Sequence, residues 1–221
     1  MPRLLELFSG TKSVSKVARE LGWQTLSLDW DSTHNPDLLL DILDFDETEY
    51  PKDYFQFIWA SPDCASYSRA RSRAKMARTD AMESADKLLA KCMSIVDYFD
   101  CHWCIENPAG SQMWKRDIAR HLLQACCLTS YCSFGSHQYR KDTRIANSFG
   151  LILPRCQGAG LCPAMIGSRH KEHAQKGGGG TTNRYHTLDE LHSIPSSLCR
   201  SVLAQVYRRI TDRPAGQAGI D

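Results

Sequence analysis

The stretch Trp59-Ala60-Ser61-Pro62-Asp63-Cys64-Ala65-Ser66-Tyr67-Ser68 places one thiol in a polar loop behind an aromatic, β-branched run, Tyr54–Trp59. That run has the composition of a central strand, and Ser61-Pro62-Asp63 would stop it sharply. Cys64 then lies just beyond a strand's carboxyl end, the edge of an open α/β sheet where ligands bind. A thiol there is a candidate nucleophile. In a chain with ten cysteines a single loop cysteine is more often inert than catalytic, so its surroundings must decide. Two further acids take the same kind of position. Asp29 closes the apolar run Trp23–Leu28, and Glu106-Asn107-Pro108 closes His102–Ile105.

The elements that would position these groups read as alternating strands and helices, the signature of an α/β fold. Arg3–Phe8 is a short apolar strand, Ser9-Gly10-Thr11 a turn, and Ser13–Leu21 a helix with Val14, Val17, Ala18 and Leu21 at helical spacing, ended by Gly22. With the strand 23–28 this makes a βαβ unit. In such a unit, N–H groups at the helix start face a nucleotide-like ligand's polar end, and the acid accepts from its ribose hydroxyls. The basic run Ala70–Asp80 has few large apolar residues and is expected to be exposed and mobile. Ala81–Phe99 reads as an amphipathic helix, Ser111–Gln124 as another and Leu128–Phe134 as a strand. Cys101 and Cys104 form a C-x-x-C that leads into a strand instead of opening a helix, so they read as core residues.

Three signatures resemble the DNA cytosine-5 methyltransferases, in that family's order and roughly at its spacing over most of the chain. The Ser61–Ser68 loop is similar to the family's Pro-Pro-Cys-Gln-Gly-Phe-Ser, Ile105-Glu106-Asn107-Pro108 to its Glu-Asn-Val, and Leu7-Phe8-Ser9-Gly10 to its Phe-x-Gly-x-Gly. Ile194–Leu203 resembles the closing Val-Pro-Pro-x-Leu-Ala-x-Ala-Ile helix. The resemblance implies an α/β, Rossmann-like class I S-adenosylmethionine-dependent methyltransferase fold. That is a mainly parallel sheet with helices on both faces, plus a small irregular insertion. It implies that Cys64 adds to carbon 6 of cytosine, that a protonated Glu106 donates to ring N3, that Asn107 orients the Cys64 loop and that Arg144 holds O2. S-adenosylmethionine would be held by Phe8, Ser9, Gly10, Thr11 and Lys12, with Asp29 on the ribose, Trp30 against the adenine, Asp41 and Ile42 at the adenine amino group, and Pro62. Ser68, Arg69, Arg71, Arg73, Lys75, Lys141 and Thr143 would meet nucleic acid, the loop after Cys64 closing over a flipped base.

The chain departs from the family pattern in places. Thr11-Lys12-Ser13 replaces further glycines, which leaves Lys12 to pair with the methionine carboxylate. Arg140–Ile145 stands where the family has Gln-x-Arg-x-Arg, with Arg144 on the final arginine and Asp142 in place of the earlier one. Leu191-His192 replaces Gly-Asn. The expected partner is DNA, either double-stranded with a flipped cytosine or single-stranded. The alternatives are tRNA, disfavoured because the Cys-Phe-Thr element of that branch is not found, and a non-catalytic binding relative.

A formal charge of +2 and a pI near 8.0 favour a polyanion only weakly, so any nucleic-acid surface is expected from local clusters. No apolar run approaches membrane-spanning length and the start lacks a signal-peptide pattern. The expectation is a monomeric intracellular protein, in the cytoplasm or nucleoid of a bacterium or in a host cell if encoded by a virus or phage. The division expected is a catalytic core over 1–153, a short target-recognition insertion over 154–185, helices returning to the core over 186–211 and a disordered tail over 212–221. Within the insertion, Cys156, Cys162, His170 and His173 form C-x5-C-x7-H-x2-H. That ligand order suits a structural zinc; the other reading is a glycine-rich loop with incidental cysteines and histidines.

Overall fold

The computed structural model describes residues 1–68, 75–174, 182 and 184–212, the side chains of 75–78 excepted. Arg69, Arg71 and Arg73 of the expected phosphate-gripping loop, the Gly177–Gly180 run and the tail from residue 213 lie outside the described residues.

Seven strands form one sheet: β1 (Arg3–Leu7), β2 (Gln24–Asp29), β3 (Leu38–Leu39), β4 (Phe57–Ala60), β5 (His102–Pro108), β6 (Cys126–Ser130) and β7 (Asp142–Asn147). Their order is β3-β2-β1-β4-β5-β7-β6. β1 to β5 run parallel, and β7 is antiparallel to both its neighbours. The chain leaves β1 toward β2 on one side and returns to β4 on the other, so the β1–β4 boundary is the topological switch point. The sheet is mainly parallel and has helices on both faces.

Side-chain alternation along the strands builds two cores. Leu5, Leu7, Ile58, Ala60, Ile105 and Ala146 pack beneath α2 (Lys75–Tyr98) through Leu89, Cys92 and Ile95. Leu4, Phe57, Trp59, Cys104 and Ile145 face α1 (Ser13–Glu20) and α4 (Ser196–Thr211) through Val14, Val17, Leu198 and Val202. Each fully buried side chain of this size contributes about 1.5–3 kcal/mol. Burial on both faces explains why β4 reads as an unbroken apolar run.

Three elements differ from their sequence-based expectation. Residues 75–80 are the opening turns of α2, because Lys75-Met76-Ala77-Arg78 are strong helix formers even without an apolar stripe. The helix expected over 111–124 is two 3-10 segments, Gln112–Lys115 and Asp117–Ala125, and periodicity in so short a stretch does not separate a 3.0 from a 3.6 repeat. The strand expected over 128–134 runs from Cys126 to Ser130 and gives way to a 3-10 turn at Tyr131–Phe134. α3 (Leu188–His192) opens with a capping box between Thr187 and Glu190. A two-residue hairpin, β8 (Met165–Ile166) and β9 (Arg169–His170), stands apart from the main sheet. No described helix is long and apolar enough to cross a membrane.

Candidate active site

A cavity of about 600 Å³ opens at the carboxyl ends of β1, β2, β4 and β5. Its β1–β2 side is lined by Phe8, Ser9, Gly10, Thr11, Asp29 and Trp30, with Asp41 and Ile42 above. Its β4–β5 side is lined by Pro62, Cys64, Glu106 and Asn107, and Lys141 reaches in from the start of β7. One cavity therefore joins the turn after β1 to the thiol after β4.

The turn after β1 is unusual in its backbone. Phe8, Gly10 and Lys12 all have positive φ (55°, 43° and 54°), a region that costs a side-chain-bearing residue about 1–2 kcal/mol. Such strain concentrates at ligand sites. The Asp29 carboxylate accepts from the Gly10 N–H at 2.7 Å and from the Asp31 N–H at 3.0 Å, which clamps this turn to the end of β2. The Ser9 hydroxyl lines the cavity buried and without a partner, a polar atom that a bound ligand would satisfy. Trp30 is 75% exposed at the rim, a free aromatic face beside the Asp29 carboxylate. A nucleoside with a polar tail fits this donor set: an apolar wall at Leu28 and Ile42, an aromatic plate and acids at the strand ends.

Two expectations about this half are corrected. The α1 amide groups are not free to meet a ligand, because Glu6, buried in β1, accepts from the Val14 and Ser15 N–H groups at 3.1 and 2.8 Å. Burial also pushes the Glu6 carboxyl above its usual range. Lys12 does not line the cavity, since its ammonium donates to the Asn35 carbonyl at 2.5 Å on the exposed side. A carboxylate inside the apolar run Leu4-Leu5-Glu6-Leu7 was the signal for Glu6, and His192 of α3 joined the lining with no signal beyond its departure from the family pattern.

The Cys64 loop is tied down at both ends. Asn107, 1% exposed, donates its side-chain N–H to the Pro62 carbonyl at 2.8 Å. Asp63 turns the chain by accepting from the Ala65 N–H at 2.7 Å and the Ser66 hydroxyl at 2.5 Å. Beyond it, the fully buried Tyr67 donates to Asp86 at 2.9 Å, and Arg116 donates to the same carboxylate at 2.8 and 2.5 Å. Arg116 is thereby a structural partner of the loop.

Glu106 is 7% exposed on the α1–α4 face of the sheet. The Thr143 hydroxyl donates to it and also lies 2.9 Å from the Asn107 carbonyl oxygen. One hydroxyl proton serves one acceptor fully at a time, so Thr143 is shared between Glu106 and the Asn107 carbonyl. Burial raises the Glu106 carboxyl, opposed by the Lys141 ammonium and by hydrogen bonds from Thr143 and Ser61. For Cys64, burial and the Glu106 charge push the thiol up while Lys141 pulls it down. Lys141 is thus the cation that both groups feel. Its ammonium donates to the Leu191 carbonyl at 2.6 Å and sits 4.7 Å from the Tyr131 ring centre.

The strand register corrects the assignments on β7. Glu106 pairs with Ile145 and Asn107 with Arg144 across the β5–β7 ladder, so Thr143 shares Glu106's face and Arg144 points to the other. Arg144 does not line the cavity; it lies near Cys126, with its Nε buried and unpartnered. Asp142 and Arg144, matched to the family's arginines by the resemblance, therefore share the face away from Glu106, because neighbouring residues of a strand point to opposite faces. Lys141 and Thr143 are the β7-side residues at the site. Thr143, fully buried, is consequently not a nucleic-acid contact. Asp142 instead accepts from the Ser130 hydroxyl at 2.6 Å and from Arg140 at 2.9 and 2.6 Å. Ser68 is partly buried behind the loop, and Lys75 begins α2.

Away from this cavity, Cys132, Cys156, Cys162 and His170 bring their ligating atoms within 4.8 Å of one another. His173, assigned to a metal from its spacing, is exposed and outside the group; Cys132, from the turn after β6, takes its place.

No protein-family model matches the chain. A Frog virus 3 (isolate Goorha) protein named "Probable DNA (cytosine-5)-methyltransferase" is 33% identical, the match covering 74% of this chain and 78% of that protein. Among solved structures, the Entamoeba histolytica methyltransferase EhMeth superposes with a TM-score of 0.62 at 10% identity, covering 95% of this chain and 99% of that one, a likeness of fold. With a relative at this identity over most of both chains, and Cys64, Glu106 and the β1 turn on one cavity, the chain belongs to the DNA (cytosine-5)-methyltransferase family.

Proposed function

We propose that this protein transfers a methyl group from S-adenosylmethionine to carbon 5 of a cytosine in DNA, with Cys64 as the nucleophile. The observation that carries the reading is the single cavity shared by the nucleoside-like donor set of β1–β2 and the Cys64–Glu106–Lys141 group. S-adenosylmethionine supplies an electrophilic methyl group on a sulfonium. In the proposed site Ser9, Asp29, Trp30, Asp41 and Ile42 would hold it.

Carbon 5 of cytosine is too electron-poor to accept a methyl group unaided. The Cys64 thiolate bonds to carbon 6, and the electron pair of the 5,6 double bond moves onto carbon 5 and into the ring. Glu106, held protonated by burial, gives its proton to N3 and cancels the charge that develops there. Lys141 lowers the Cys64 thiol toward its reactive form and offers an N–H to the base's O2, the part that sequence alignment gave to Arg144. After carbon 5 is methylated it loses its proton to a base, the re-forming double bond expels the Cys64 sulfur as thiolate, and N3 returns its proton to Glu106. Asn107 keeps the loop carbonyl at Pro62, and so Cys64, in register with Glu106. The target base must stand outside a helical stack to reach this cavity.

The test is transfer of labelled methyl from S-adenosylmethionine to duplex DNA, single-stranded DNA and tRNA in parallel, read as methylated nucleosides by mass spectrometry. The expected product is 5-methyldeoxycytidine, absent with Cys64→Ser. 5-Methylcytidine from tRNA alone would transfer the reading to RNA. Cofactor binding with no product on any substrate would make the chain a non-catalytic relative.

A further inference from the structure

The segment after Pro154 cannot hold its shape by burial. Among the described residues its buried apolar cluster is Cys132, Cys162 and Ala164, with Cys156 and Met165 alongside, and the β8–β9 hairpin is two residues deep. Something other than a core must fix it. Four ligating atoms converge there, three of them from cysteines, all ten of which are free thiols in this structure.

The spacing of these atoms suits a tetrahedral metal ion. Zinc bound tetrahedrally at about 2.3 Å to sulfur and about 2.0–2.1 Å to nitrogen places sulfur and nitrogen ligands ~3.5–3.6 Å apart. His170 Nε2 lies 3.5 Å from Cys156 Sγ and 3.7 Å from Cys162 Sγ. Both distances match the sulfur–nitrogen edge of such a tetrahedron. The Gly158 N–H is directed at the Cys156 sulfur, a donor that suits a thiolate ligand better than a thiol. Gly158 has φ of +87° and its carbonyl accepts from the Cys162 N–H at 3.0 Å, so one glycine turn sets both cysteines. Three thiolates, one neutral imidazole and Zn²⁺ sum to −1, and Arg140 lies beside Cys132 and Cys156 to offset it.

We propose that Cys132, Cys156, Cys162 and His170 bind one structural zinc ion, which fastens residues 154–170 to the β6–β7 corner of the sheet. Binding releases the three thiol protons and changes no oxidation state. Cys132 is the anchor on the core side. Its neighbour Tyr131 carries the Lys141 ammonium over its ring and donates its N–H to the Lys141 carbonyl at 3.0 Å. The metal therefore braces the strand start from which Lys141 enters the cavity.

The experiment is elemental analysis of the full chain purified without added metal, beside Cys132→Ser, His170→Ala, His173→Ala and Cys126→Ser. About one zinc ion per chain is expected in the parent, His173→Ala and Cys126→Ser proteins, with a several-fold loss in Cys132→Ser and His170→Ala. If those two variants fail to fold, zinc release from the parent protein by a thiol-blocking mercurial, followed with a chromophoric chelator, replaces them. Chelator treatment should also lower the parent's melting temperature, and Co²⁺ in its place should give thiolate charge-transfer and tetrahedral ligand-field bands. Less than about half a zinc ion per parent chain, equal losses in His170→Ala and His173→Ala, or a disulfide among Cys132, Cys156 and Cys162 in the native protein would each overturn the proposal.

Discussion

Replacing Glu106 by Gln tests the proton argument with the smallest change of shape. The amide has the carboxyl group's outline and can still meet Thr143 and Ser61, so the fold should persist; what disappears is the transferable proton. General acid catalysis by a positioned group contributes about 10²–10⁴-fold, so kcat should fall by that factor, ~3–5 kcal/mol of barrier, while S-adenosylmethionine binding on the β1–β2 side stays unchanged. Stability should move the other way. Burial holds the Glu106 carboxyl above its ordinary value of 4.5, so the folded protein binds this proton more tightly than the unfolded chain does. That contribution is complete below the ordinary value and is lost as pH rises through the folded-state value. Glutamine removes it. The melting temperature of Glu106→Gln relative to the parent should therefore climb as pH rises from the ordinary value of 4.5 through the folded-state value. Single-turnover methyl transfer and a series of thermal denaturations across that range are the assays. Activity within about tenfold of the parent, or a melting difference that does not change with pH, would refute the assignment.

Lys141→Met removes the cation that lowers the Cys64 thiol, so the pH midpoint for alkylation of the Cys64 peptide, followed by mass spectrometry, should shift upward; an unchanged midpoint would remove Lys141 from the site. Arg144→Gln should leave methyl transfer within about tenfold of the parent, because Arg144 is on the opposite sheet face; a loss matching Glu106→Gln would restore the alignment-based role. Asn107→Ala leaves the Pro62 carbonyl without its donor and should cost about 1–3 kcal/mol in chemical denaturation, along with a drop in kcat. Asp86→Ala strands the Tyr67 hydroxyl and Arg116 together and should destabilise by about 3–5 kcal/mol, less whatever solvent reaches Arg116; a change below about 0.5 kcal/mol would show that the loop is held by something else.

Much of the frame was legible because it is encoded locally. The β1–α1–β2 unit, the strand before Cys64 and the strand ending at Glu106-Asn107 each announce themselves by apolar runs closed by polar stops, and the resemblance joined them in order. What was hidden depends on register and on contacts distant in sequence. Lys141 and Thr143 differ from Asp142 and Arg144 only by which face of β7 they take, and that is set by pairing with β5. Cys132 lies far from Cys156 along the chain and meets it only because β6 ends where the insertion begins; His173, by contrast, was favoured by mere adjacency to His170. The long 3-10 stretch after β5 has no sequence mark that separates it from an α-helix.

Glu6 bears on which ligands the cavity admits. By accepting from the amides at the start of α1 it offsets the partial positive charge that would otherwise welcome phosphate, and Asp29, Asp41 and Asp63 add carboxylate oxygen to the same walls against Lys141. Such an enclosure repels nucleotides with phosphate tails. The same walls favour a cationic ligand over a neutral one of its shape.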